Sequence, residues 1–217
     1  MVDDDIKICE LLQAKFCHDM AGTLSAINNS VEFLSSSNNN LREKATTLIQ
    51  TSAAESVAKL QFYRTAYGSA LDNGETSFEE IISIINNFAS YTKVNIMWPA
   101  STLAKLNTPI TNRLAKIVLN LLLVISDSLI YGGTINIKCD SKNNKSQIII
   151  NAAGKKCLLE DKYLSIILNP DINIDHINVD NIQEYIIARL IKIYNAELSI
   201  RNKTGESIEF VLYYGLN

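Results

Sequence analysis

The chain has 217 residues, 47% of them hydrophobic and 20% charged, with a net charge of −3 at pH 7. That balance suffices for one or two buried cores, and it provides neither the basic excess of a nucleic-acid binder nor a polybasic patch for an anionic membrane. Four cysteines, Cys9, Cys17, Cys139 and Cys157, lack the short paired spacings of a metal or redox site, so free thiols in a cytoplasmic setting are expected.

The opening Met-Val-Asp-Asp-Asp is acidic where a secretory signal would be basic and apolar. A first helix is predicted from about Asp4 to Leu34. At roughly 100° per residue, Phe16, Met20, Leu24, Ile27, Val31 and Leu34 fall within about 40° of one direction, and His18 points about 160° away from that stripe. Around His18 on the outer face lie Lys15, Ala21, Gly22, Ser25 and Asn29, small or polar residues that leave the imidazole open to another protein. The run Ser35 to Asn40 ends this helix, because Ser and Asn side chains compete for backbone hydrogen bonds. A second helix follows from Leu41 to about Tyr67, with Ala45, Ile49, Ala53, Ser56, Leu60 and Tyr63 facing inward. Two long helices and a short turn make an antiparallel hairpin, and one hairpin cannot cover both apolar faces. Pairing of two copies into a four-helix bundle is therefore expected, the competing arrangement being cover by a second domain.

Gly68 to Thr76 carries Asp72-Asn73-Gly74 and is predicted to link a hairpin domain, 1–70, to a second domain, 76–217. There Ser77-Phe78-Glu79-Glu80 is a capping box, opening a helix over Phe78 to Ala89. A strand is predicted from Lys93 to Trp98, then a helix opened by Thr108-Pro109 and running to about Leu129, stopped by Gly132-Gly133. Thr134 to Cys139 and Gln147 to Asn151 alternate as a hairpin. A last helix, Ile182 to Tyr194, precedes two strands, Glu197 to Arg201 and Ile208 to Tyr213. The resulting fold class is α+β: a helical hairpin plus an α/β sandwich, one sheet under one layer of helices.

Cys17-His18-Asp19-Met20-Ala21-Gly22, followed by Ala26-Ile27-Asn28-Asn29-Ser30-Val31-Glu32-Phe33-Leu34, resembles the phosphoacceptor helix of ChpT-type histidine phosphotransferases. These are relatives of the dimerisation and phosphoacceptor part of sensor histidine kinases. Leu60-Gln61-Phe62-Tyr63-Arg64 is similar to the family's second helix, and Leu119-Asn120-Leu121-Leu122-Leu123 to a helix of its C-terminal domain. Thr23 departs from the pattern, which carries proline five residues after the histidine; without that proline a straighter helix is expected. The resemblance implies a homodimer that relays phosphoryl groups between receiver domains of response regulators, a hybrid kinase upstream and CtrA-like and CpdR-like regulators downstream. Mg²⁺ and the phosphorylatable aspartate would come from the receiver, and no cofactor would belong to the chain itself.

The second domain resembles the GHKL ATP-binding fold without its chemistry. In the pattern Asn-Leu-Leu-x-Asn-Ala the first asparagine falls on Asn120 but the metal-ligating one on Val124. Where Asp-x-Gly-x-Gly would follow a strand, the chain has Asn151-Ala152-Ala153-Gly154-Lys155. An active kinase is thereby disfavoured.

Free imidazole titrates near pH ~6.5, so at pH 7 it is mostly the neutral nucleophile that can hold a phosphoryl group as a phosphoramidate. His18 is suited to that role, and the adjacent Asp19 to orienting the ring or taking up its proton, unless it only solvates the helix. Lys15, Gln61 and Arg64 are candidate contacts to the receiver or phosphoryl group, with a solvated face as the alternative. His176 has no second ligand at metal spacing and is expected in a loop. Two other functions stay open on residues alone: an ATP-dependent histidine kinase core, and a non-catalytic dimeric scaffold.

Overall fold

The structure, a computed structural model, describes residues 2–68, 77–105, 111–142 and 145–214. Helix α1 (Val2–Val31) runs without a break through Thr23, whose buried hydroxyl donates to the Met20 carbonyl at 3.1 Å, and a 3-10 turn (Glu32–Ser35) follows it. Asn38 caps the next helix, α2 (Asn39–Tyr67), its side chain accepting from the amides of Asn40 and Leu41. The predicted linker lies outside the described residues. Helix α3 (Phe78–Ala89) opens on the expected reciprocal capping box of Ser77 and Glu80. Strand β1 (Val94–Met97) and a 3-10 segment (Ala100–Lys105) precede helix α4 (Asn112–Ser128), whose N-cap is Thr111. Thr108-Pro109, the predicted start of that helix, lies outside the described residues. Strands β2 (Gly133–Lys142) and β3 (Lys145–Gly154), the short helix α5 (Asp161–Ile167), helix α6 (Ile182–Ile193), and strands β4 (Glu197–Arg201) and β5 (Ser207–Tyr214) complete the chain. No helix among the described residues is long and apolar enough to cross a membrane.

The five strands form one mixed sheet in the order β1-β2-β3-β5-β4, parallel only between β1 and β2. Alternation along each strand sends every second residue to the covered face. In register, Ile135, Ala152 and Ile208 form one row, Ile137, Ile150 and Phe210 the next, and Cys139, Ile148 and Leu212 a third, all buried. Helix α4 lies between this face and the other helices, so it is apolar almost all round, from Leu114 to Ile125. Gly132 takes φ +77°, where a Cβ would fall on the Lys93 carbonyl, and so permits the turn from α4 into β2 beside β1.

The sandwich and the base of the hairpin share one core: Met20, Phe62, Tyr63 and Ala66 belong to the same buried cluster as Phe88, Leu121 and Phe210. A second cluster joins the first turns of α1, through Ile8, Leu11 and Leu12, to Ile166, Ile174, Ile182 and Tyr185. Of the positions expected inward on α2, Ala45 and Tyr63 are buried and Ile49, Ala53 and Ser56 half-buried, but Leu60 is not. The sandwich meets α2 at Phe62, against Phe88, and at Ala66, while Leu60, expected inward, is 51% exposed. Beyond the shared core, the buried positions of the hairpin are mostly small or hydroxylated, Thr23, Ser30, Ala45 and Ser52 among them. Leu24, Val31 and Leu34 of the predicted stripe, with Leu48, Val57 and Leu60 of α2, are left uncovered by their own chain. Cover by the second domain thus operates at the base of the hairpin, and the upper part keeps an open apolar face.

Glu184 of α6 is buried with Oε2 unpartnered among the described residues, and its pKa is pushed up to about 7, chiefly by burial, with nearby Lys15 opposing. A carboxyl whose folded pKa exceeds its unfolded value favours the fold while it is protonated. That contribution is complete at low pH and is lost as pH rises from the unfolded value, ~4.3, through about 7. Glu184→Gln is expected to match the parent in urea unfolding near pH 4.5 and to exceed it at pH 8, by roughly 3 kcal/mol at most. Equal stability of the two proteins at pH 8 would show that the carboxyl is solvated in the fold.

Candidate functional site

Residues four apart stack on one face of a helix, so Lys15 reaches Asp19, with Nζ 3.0 Å from Oδ1. The Lys15 ammonium also lies 4.0 Å from Asp127 at the end of α4. His18 stands beside this pair with its side chain 81% exposed and Nδ1 3.2 Å from the same Asp19 oxygen. The second oxygen of Asp19, Oδ2, accepts from the hydroxyl of Tyr63 in α2 at 3.1 Å. One carboxylate therefore gathers three groups from two helices.

Tyr63 is fixed by its surroundings, edge-on to Phe16 and stacked on Tyr67. Burial first, then the Asp19 charge, raises its phenol far above the ordinary range, so it stays a donor. Tyr67 is raised for the same reasons and donates to Oε1 of Gln183 in α6. Gln183 Nε2 in turn donates to Asn120 Oδ1 at 2.6 Å, and the Asn120 amide donates to the carbonyls of Ala66 and Lys116 at 3.0 and 2.7 Å. The asparagine matching the GHKL pattern is thus fully buried and spends its hydrogen bonds on joining α4 to α2 and α6.

Lys15, His18, Asp19 and Gly22 line one cleft of about 480 Å³ between the hairpin and the sandwich. Its far wall is Tyr91, Thr92 and Lys93 before β1, with Asp127 in the last turn of α4 and Ile130 after it. Three lysines (15, 59 and 93) face three carboxylates (19, 55 and 127), so the cleft offers cations to a phosphoryl group without a strong net field. A Cβ on Gly22 would meet nothing within 4 Å.

The other predicted contacts lie elsewhere. Asn29 is exposed two turns beyond Gly22 on α1 and does not line the cleft. Gln61 and Arg64, roughly 200° and 100° around α2 from Tyr63, line a separate groove of about 600 Å³ with Phe16, Val57 and Leu60. His176 is exposed at the end of a 3-10 turn, Ile174–His176. Tyr63, Lys59, Asp127 and Lys93 were not singled out for this site from sequence. Only Tyr63 carried any signal, within the stretch resembling the family's second helix.

The family model of the histidine phosphotransferase C-terminal domain matches residues 78–206. The protein phosphotransferase ChpT of Brucella abortus (strain 2308) is 25% identical over 208 residues, which cover 92% of this chain and 92% of that protein. A bacterial phosphotransferase solved at 1.7 Å superposes with a TM-score of 0.77 at 23% identity, over 95% of this chain and 96% of the other. At that identity the likeness is one of fold, and it extends through hairpin and sandwich alike.

Proposed function

Because this chain belongs to the histidine phosphotransferase family and is a phosphotransferase of a phosphorelay, we propose that His18 is its phosphoacceptor, exchanging the phosphoryl group with receiver domains of response regulators. The observation that carries this is the exposed imidazole whose Nδ1 rests on a carboxylate. Paired with the Lys15 ammonium, Asp19 acts as an acceptor, so the shared proton sits on Nδ1 and Nε2 keeps its lone pair toward solvent. Nε2 attacks the phosphorus of a receiver's aspartyl phosphate, and the aspartate leaves as carboxylate. Asp19 steadies the positive charge that develops on the ring. The receiver supplies Mg²⁺ and the aspartate; this chain supplies nucleophile and surface.

Neither rival function is favoured by family membership. Nucleotide plays no part in our reading, and three features support that: the Asn120 amide is committed to α2 and α6, Val124 is buried in the core, and Asn151 to Ala153 are paired on both sides within the sheet. Calorimetry with Mg-ATP is expected to show no binding; a dissociation constant of about micromolar order, roughly −8 kcal/mol, would overturn this.

The working form is a homodimer through the open apolar face of the hairpin. Along α1, residues 24, 27, 31 and 34 alternate steps of three and four, the spacing with which helices mesh in bundles. Four free cysteines fit a reducing, cytoplasmic setting. The test is incubation with a radiolabelled phospho-receiver: label should move to this chain and be released by acid but not by base. Receivers of a hybrid kinase and of CtrA-like and CpdR-like regulators are the first to try. Label that survives acid would exclude a phosphoramidate.

A further inference from the structure

We propose that Tyr63 is a positioning residue for phosphoryl transfer, acting through Asp19 to hold the His18 ring with Nε2 outward; this rests on His18 being the phosphoacceptor. A carboxylate on an exposed helix face, paired only with a lysine four residues away, is weakly held. Asp19 is held better than that, because its Oδ2 accepts from a hydroxyl set on a buried ring. Tyr63 is wedged between Phe16 and Tyr67, with centroids 5.6 Å from each, so its oxygen is a fixed point. With Oδ2 anchored inward, Oδ1 is left facing Lys15 and His18. The rigidity of the core is thereby passed to a surface imidazole.

The step it serves balances simply. The Nε2 lone pair forms the N–P bond, the P–O bond to the receiver's aspartate breaks, and that electron pair leaves on the carboxylate. The Nδ1 proton stays on the ring against Asp19 Oδ1. The opposite tautomer, with hydrogen on Nε2, carries its lone pair on Nδ1, turned toward Asp19, and offers none at Nε2, so a group that fixes the tautomer sets the reactive fraction of the protein. The other charged and titratable groups lining this cleft are Lys15 from α1, Glu55, Lys59 and Tyr67 from α2, Tyr91 and Lys93 before β1 and Asp127 from α4.

The test is Tyr63→Phe, which removes one hydroxyl and keeps the ring. Transfer from a phospho-receiver should slow about tenfold, the lower end of what loss of a group orienting a histidine costs at metal centres. A role confined to joining the two helices would not move the imidazole's own signature. The ¹⁵N spectrum of His18 in the full chain is therefore the deciding readout. The parent should show mainly the Nδ1–H tautomer, and Tyr63→Phe a shift toward Nε2–H. In an Asp19→Asn background, Tyr63→Phe should add no further slowing. A parental tautomer ratio with a parental rate would overturn the proposal, as would equal slowing in the two backgrounds, since Tyr63 would then act by another route. His18→Ala protein that still takes up label would instead overturn the phosphoacceptor reading beneath it, an outcome distinguishable because the tautomer measurement needs no transfer.

Discussion

His18→Ala protein is expected to take no label from a phosphorylated receiver while keeping its fold and assembly. The side chain contributes nothing to the core: it is 81% exposed, and its one close polar contact is the neighbouring Asp19. Alanine is the best helix former, so the exchange inside α1 is neutral or slightly stabilising. The only other histidine, His176, lies outside the cleft and cannot inherit the role by a small shift. Phosphoramidates are hydrolysed by acid and survive base, so the lost label is identifiable by its chemistry. Asp19→Asn should retain the fold and slow transfer by up to ~10²–10⁴-fold, the range for a lost acid–base or orienting group. Label on His18→Ala protein, acid-labile or not, would remove His18 from the mechanism.

If the proposed homodimer forms through this face, Val31→Glu and Leu60→Glu are expected to leave a folded monomer. Both residues are about half exposed in the single chain, so a carboxylate there stays hydrated when the chain is alone and the hairpin keeps its own packing. In the paired state the same carboxylate is enclosed without a partner, which costs about 3–5 kcal/mol, or roughly 10²–10⁴-fold in dissociation constant. Light scattering across a dilution series reads this directly. A dimer that persists in both variants at low micromolar concentration would place the interface on another face.

The elements most legible in the sequence were those with local chemistry. The capping box at Ser77 and Glu80 set the start of α3, and alternation from Thr134 onward set the β2–β3 hairpin. Helix α5 was missed because seven residues, apolar at 164, 166 and 167, give no sustained period, and no side chain caps its start. The inward placing of Leu60 failed for a different reason. A wheel shows which residues are apolar, but the sandwich covers α2 along Phe62 and Ala66, leaving Leu60 for another surface. The site divides in the same way. Lys15, His18, Asp19 and Gly22 share one helix, so spacing could group them, although it grouped Asn29 with them and Asn29 lies off the cleft. Tyr63 stands 44 residues from Asp19 and meets it only once α2 has folded back along α1.

The chain of buried amides from Tyr67 through Gln183 to Asn120 and the Ala66 carbonyl has a consequence for how binding energy is used. Such a thread breaks only by leaving several buried polar groups unsatisfied at once, so the hairpin and the sandwich cannot swivel freely against each other. A protein whose two halves are locked has no closing motion to drive after its visitor arrives. On the proposed reading, a receiver that gripped the wall formed by Tyr91 to Lys93 would be aimed at His18 by the same act, and affinity gained across the cleft would become alignment at phosphorus rather than work spent moving a domain.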